Sequence, residues 1–206
     1  PTPDGVRLIA LCREVLAAAR ALIEHARAQT GALDGRLRIG IIATLAPYYI
    51  PGLLPLLRRD CPQLTLQLTE GLTEGLLRRL RDNELDLVIA ALPVRDDVFQ
   101  AMPVFDEPFV AVFPRTHPRA GKRDIRIEDL DGPDLLLLEE GHCLRDQALA
   151  LCGMTTSRQQ RLATSLEMLW HMIGAGEGYS LIPELALRHR ETLQDLVTIR
   201  PVSYTH

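Results

Sequence analysis

"RLRIGIIAT" (residues 36–44) and "LDLVIAAL" (residues 85–92) decide the fold. Both are short runs rich in Ile, Leu and Val. Runs of this length read as strands, and the second is almost continuously apolar, as in a sheet covered on both faces. Between them lie two helical patterns, "YYIPGLLPLLRRD" (48–60, Pro51 near its start) and "TEGLLRRLRDNE" (73–84). They are separated by "LTLQLTE" (64–70), which alternates as a strand does. Strand, helix, strand, helix, strand predicts a parallel sheet joined by right-handed crossovers.

Upstream, residues 4–29 predict one long helix. Ile9, Cys12, Leu16, Ala19, Ile23 and Ala26 recur in steps of three and four, a seam for another helix. Gly31, Asp34 and Gly35 break the pattern. Downstream, "FQAMPVFDE" (99–107) and "PFVAVFPR" (108–115) read as extended, with no long helix between them. Pro114, Pro118, Gly121 and Gly132 punctuate the stretch up to residue 133. Then the βα rhythm resumes. Strands are expected at 134–140, 161–164, 179–183 and 196–202, and helices at 143–151, 165–176 and 184–193. Thr164 with Glu167 three residues on has capping-box spacing for the 165–176 helix. The expected class is α/β: two tandem lobes with mainly parallel sheets after a long helix. The divisions are 1–35 (linker or dimerisation helix), 36–106 (first lobe) and 107–206 (second lobe). No internal repeat of 20–50 residues is evident.

With 206 residues, 47% hydrophobic and 24% charged, the composition is that of a globular protein. A net charge of −4 argues against this segment gripping nucleic acid by itself, since backbone binding needs concentrated positive charge. Four cysteines are too few for a secreted disulfide scaffold, so a reducing, cytoplasmic setting is expected. No apolar run is long enough for a membrane span, and no signal-peptide pattern opens the chain. It begins Pro1-Thr2-Pro3-Asp4-Gly5 without an initiating Met, and reads as a piece of a longer polypeptide.

Phosphate-cradling glycine loops, G-x-S-x-G, HExxH and CxxC are absent, and the six histidines show no metal-cage spacing. No cofactor or metal is therefore expected. "GHCLRDQALALC" (141–152) carries more chemistry. Cys143 follows Gly141 at the start of a predicted helix, near its positive dipole end, with His142 and Arg145 close by; each influence favours a thiolate. Asp146 could instead pair with Arg145 in a structural role. Cys152 lies nine residues on. Nine helical residues rise about 13.5 Å and turn the second side chain about 180° from the first, whereas a disulfide wants Cα atoms under about 7 Å apart. The two thiols cannot join while the helix persists. The bland alternative is that both are small buried hydrophobes.

Thr44 and Thr73 each fall just beyond the carboxyl end of a predicted parallel strand, where open α/β sheets bind ligands. Each could equally cap the next helix. Cys12 on the seam and Cys61 before Pro62 are explained by packing, as are Met168, Trp170 and Met172.

These residues resemble LysR-type transcriptional regulators. "TPDG" (2–5) before a long helix resembles the exit from their winged helix into the linker helix. "GRLRIGIIATLAPYYIPGLLPLL" (35–57) resembles the opening of their effector-binding domain. "GHCLRDQALALC" resembles the redox segment of the family's hydrogen-peroxide sensors, as do "ATSLEML" (163–169) and "GAGEGYSLIPELA" (174–186). Thr69 departs from the histidine some members carry.

The resemblance implies two periplasmic-binding-protein-like lobes. It implies that Cys143 is the peroxidatic cysteine and Cys152 the resolving one. Thr44 and Thr73 would help position hydrogen peroxide, and His142, Arg145 and Asp146 would tune the sulfur. It further implies promoter DNA binding through an N-terminal winged helix-turn-helix absent from this chain. A homodimer or homotetramer with pairing linker helices, and a glutaredoxin- or thioredoxin-type reductant, are implied too. A metabolite-binding domain with structural cysteines and a thiol peroxidase remain as alternatives.

Overall fold

A computed structural model describes residues 2–28, 35–94, 96–130, 132–153, 161–187 and 195–203. Helix α1 (Pro3–Ala28) carries Asp4 in its first turn, where a negative charge suits the helix dipole. Val6, Leu8, Ile9, Leu11, Val15 and Leu16 are exposed along it, and so is Cys12. The other seam positions, Ala19, Ile23 and Ala26, lie on the helix with side chains outside the described set.

The chain divides into two compact units. The first comprises residues 1–42 and 50–90. Its sheet has β1 (Gly35–Ile42) in the centre, with β2 (Leu64–Gly71) and β3 (Leu87–Ile89) parallel on either side. Helices α2 (Ala46–Asp60) and α3 (Thr73–Arg81) follow β1 and β2, the crossovers that parallel pairing demands. Gly40 lets α3 approach the sheet: a Cβ there would sit 2.7 Å from a Leu85 methyl and 3.0 Å from one of Leu76.

Strand β3 is shorter than the apolar run at 85–92. The run's first residues serve the preceding turn, where the Leu85 N–H bonds the Arg79 carbonyl at 3.3 Å. The Asp86 carboxylate accepts from the Arg38 backbone N–H at 2.7 Å and from its Nε at 3.1 Å. At the other end, Ile41 pairs with Ile89 and β1 stops one residue later.

The second unit comprises residues 43–49 and 91–206. Its strands are β4 (Phe109–Pro114), β5 (Ile125–Arg126), β6 (Leu137–Leu138), β7 (Leu162–Ala163), β8 (Ser180–Pro183) and β9 (Val197–Ser203). The main sheet runs β5-β9-β4-β8, with β4 antiparallel to β8 and β9; β5–β9 and β6–β7 are parallel. Among the described strands, four of six ladders are parallel, as expected of a mainly parallel α/β protein.

Helices α4 (Cys143–Leu151) and α5 (Leu166–Gly174) pack on this frame. One core gathers Leu136, Leu138, Leu144, Ala163, Leu166, Leu169, Trp170 and Ile173. A second gathers Phe113, Ile125, Leu130, Leu135, Leu137, Ala148 and Tyr179. His117 stacks on Phe113 with ring centroids 5.0 Å apart. Partial burial holds its imidazole below the usual histidine range, Arg119 adds to that, and Asp134 opposes it.

Two local expectations need correction. Helix α5 is capped by Ser165, whose Oγ accepts the Met168 N–H at 3.1 Å, not by Thr164. That one-residue shift releases Glu167 from the expected capping box. The pattern at 184–193 opens as a single 3₁₀ turn, Glu184–Leu187; residues 188–193 lie outside the described residues.

Candidate redox site

The turn from β6 into α4 uses Gly141 at φ +96, a backbone region costly for any residue with a Cβ. His142 follows as the N-cap, extended at φ −84, ψ 120, and its side chain makes no capping hydrogen bond. Cys143 is the first helical residue and is half-buried. Arg145 is half-buried and Asp146 exposed, both in the first turn. The next turn fixes the helix. Leu144 enters one core and Ala148 the other, at 3% and 2% exposure, so α4 bridges both.

Cys152 is the C-cap, its N–H donating to the Ala148 carbonyl at 3.0 Å. It is half-buried against the second core, and Gly153 follows at φ +60. All four cysteines are thiols. Cys143 and Cys152 thus stand at opposite ends of one helix, too far apart to join while it stays wound.

Neither threonine holds a helix N-cap. Thr44, 6% exposed, precedes α2 by two residues and groups with the second unit, as do Cys143 and Cys152. Thr73 belongs to the first unit as the first residue of α3, where Leu72 is the N-cap and offers no side-chain bond. Its Oγ1 is buried and has no hydrogen-bond partner among the described residues. A hydroxyl in that position has the capacity to bond a small polar molecule.

A pair that sequence reasoning missed also lies in the second unit. The Tyr48 hydroxyl donates to Glu167 Oε1 at 2.9 Å. A sequence separation of 119 leaves no periodic signal to read. Among the described residues, no cluster of three or more His, Cys, Asp or Glu side chains is placed to hold a metal, and no helix is long and apolar enough to cross a membrane.

The family model for the LysR substrate binding domain matches residues 30–204, and the chain belongs to that family. Peroxide regulators are among its relatives. It is 39% identical over 206 residues to the DNA-binding transcriptional dual regulator OxyR of Escherichia coli K12, covering 97% of this chain and 67% of the relative. To a hydrogen peroxide-inducible genes activator of Dickeya chrysanthemi it is 39% identical over 202 residues, 97% of this chain and 66% of the relative. The chain spans about two thirds of the length of these relatives.

The reduced OxyR regulatory domain of Pseudomonas aeruginosa superposes with a TM-score of 0.73 at 39% identity, covering 82% of each chain. Two further OxyR crystal structures, each covering 82% of this chain and 80% of that one, are a reduced form (TM-score 0.73, 40% identity) and an oxidised form (0.70, 38%). The resemblance read from 141–152 therefore extends over the fold.

Proposed function

We propose that this chain is the linker helix and regulatory domain of a cytoplasmic LysR-type transcriptional regulator that senses hydrogen peroxide through Cys143 and Cys152. The observation that carries the reading is the pair of half-buried thiols at the first helical position and the C-cap of α4, in a chain 39% identical to OxyR. The Cys143 thiolate attacks one peroxide oxygen and the O–O bond breaks. The sulfur becomes a sulfenic acid, and the other oxygen leaves as hydroxide and takes a proton to become water. Cys152 attacks that sulfur, a disulfide forms, and the sulfenic oxygen leaves as a second water. Two thiols and one peroxide give one disulfide and two waters.

The second step requires α4 to unwind. A covalent mark is thereby recorded as a shape, as a two-state switch requires. Thr44 bonds the peroxide beside Cys143, Thr73 supplies a further hydroxyl, and His142, Arg145 and Asp146 tune the sulfur. Helix α1 pairs with that of a second copy in a homodimer or homotetramer, and a winged helix-turn-helix ahead of it holds promoter DNA. A glutaredoxin- or thioredoxin-type dithiol resets the switch. The sensing is stoichiometric rather than enzymatic and uses no cofactor or metal.

Peptide mapping of thiols before and after one equivalent of peroxide tests this. The expected product is a Cys143–Cys152 crosslink with Cys12 and Cys61 untouched. A Cys143→Ser variant that still responds fully to the inducer would point to a metabolite-binding domain instead. Sustained turnover of peroxide with a thiol reductant would point to a peroxidase.

A further inference from the structure

We infer that Tyr48 and Glu167 are a positioning pair for the peroxide reaction: their hydrogen bond seats the 43–49 turn, and with it Thr44, on the core that carries the first turn of α4. The inference rests on the reading that Thr44 contacts peroxide at Cys143.

Residues 43–49 follow β1 directly in sequence, yet by their contacts they belong with residues 91–206. Contacts of both tyrosines hold them there. The Tyr48 hydroxyl donates to Glu167 in the first turn of α5, at 2.9 Å. The Tyr48 side chain packs against the core that contains Leu144, Ala163 and Leu166. The Tyr49 ring stacks on Phe105 with centroids 5.3 Å apart and planes within 17°. Leu144 is the residue next to Cys143, so Tyr48 and the reactive turn rest on one set of side chains.

Backbone hydrogen bonds close the turn itself. The Leu45 carbonyl accepts from the Tyr48 N–H at 3.1 Å and from the Tyr49 N–H at 3.0 Å. Thr44 precedes Leu45 and is buried, so its hydroxyl follows the Tyr48 turn. Ring packing fixes how deep that turn lies, but a ring slides along an apolar surface at little cost. The hydroxyl–carboxylate bond is directional, and it fixes the azimuth that packing leaves loose. Displacing a hydrogen-bonding group by an ångström at a reacting centre costs rate out of proportion to stability.

The test compares Tyr48→Phe, Glu167→Ala and Glu167→Gln, each in the Cys152→Ser background, so that the first oxidation is read alone by trapping the sulfenic acid. Tyr48→Phe keeps the ring and loses the donor; Glu167→Gln keeps a carbonyl acceptor. Tyr48→Phe and Glu167→Ala should slow peroxide oxidation of Cys143 about tenfold, while Glu167→Gln stays within about twofold of the parent. Reaction of Cys143 with an aromatic disulfide reagent, which needs no bound peroxide, should be unchanged in all three.

Equal peroxide rates in Tyr48→Phe and parent would overturn the inference. So would parallel losses toward both reagents, which would mark a merely structural role. With both cysteines present, failure of the parent chain to form the Cys143–Cys152 crosslink would overturn the functional reading itself. Crosslinking in the parent with no effect of Tyr48→Phe sinks only the positioning pair.

Discussion

Thr73 Oγ1 separates binding from packing at the level of one atom. It is buried without a partner among the described residues, and an unsatisfied hydroxyl costs stability that a methyl of the same shape does not. Thr73→Val should therefore leave the fold intact and raise its stability by about 1 kcal/mol in urea titration. The same variant should slow peroxide oxidation of Cys143. A residue whose loss stabilises the fold while impairing the chemistry is held for the chemistry. If Thr73→Val destabilises the fold, the hydroxyl is a structural bond donor and its place in the peroxide site falls. At this scale the sequence located Cys143 at the start of a helix, Cys152 at its end and Thr44 and Thr73 just past strand ends, because residue type and offset from a strand end carry that information. It was silent on the Tyr48–Glu167 bond, which depends on tertiary packing alone.

Among elements, α4 would carry the proposed switch. Its bounds follow from the sequence almost residue for residue: Gly141 turns the chain in, Gly153 turns it out, and Leu144 and Ala148 lie on the buried side. Other elements were less legible. The run at 85–92 looks uniformly apolar, but Asp86 is drawn to Arg38 and the ladder shrinks to Leu87–Ile89. The α5 cap moved from Thr164 to Ser165 because adjacent hydroxyl residues give equal local signals, and backbone geometry chooses between them.

The switch reading makes a quantitative demand on α4. If the helix exists only in the dithiol form, weakening it favours the disulfide. Ala150 is exposed, so Ala150→Gly should weaken the helix by about 1 kcal/mol without touching either core. The Cys143–Cys152 midpoint potential should then fall by about 20 mV, since roughly 30 mV corresponds to 1.4 kcal/mol for two electrons. Redox titration against a dithiol buffer reads this directly. An unchanged potential would mean that α4 survives oxidation, and the conformational half of the mechanism would fail.

For the whole molecule the question is what α1 is for. Most surface side chains in water are polar, yet Ile9 and Leu16, two positions of the heptad seam, are 45% and 57% exposed, and Leu8, Leu11 and Val15 extend the apolar face. A single amphipathic helix has no reason to keep such a face in water unless a second helix covers it. Leu16→Glu places a charge in the middle of that seam, where burial would leave it unpaired. Sedimentation velocity should show self-association of the parent chain and a dissociation constant raised about 100-fold, close to 3 kcal/mol, in Leu16→Glu. Arg7→Glu, about 180° around the helix from Leu16 and beside only the flank at Leu11, should change association far less. The Cys143–Cys152 crosslink should form at the parent rate in both variants, because α4 and its two cores lie within one unit of one chain. Assembly and oxidant detection would then be separable properties. Loss of crosslinking in a monomeric Leu16→Glu protein would instead place the redox chemistry under the control of the partner subunit.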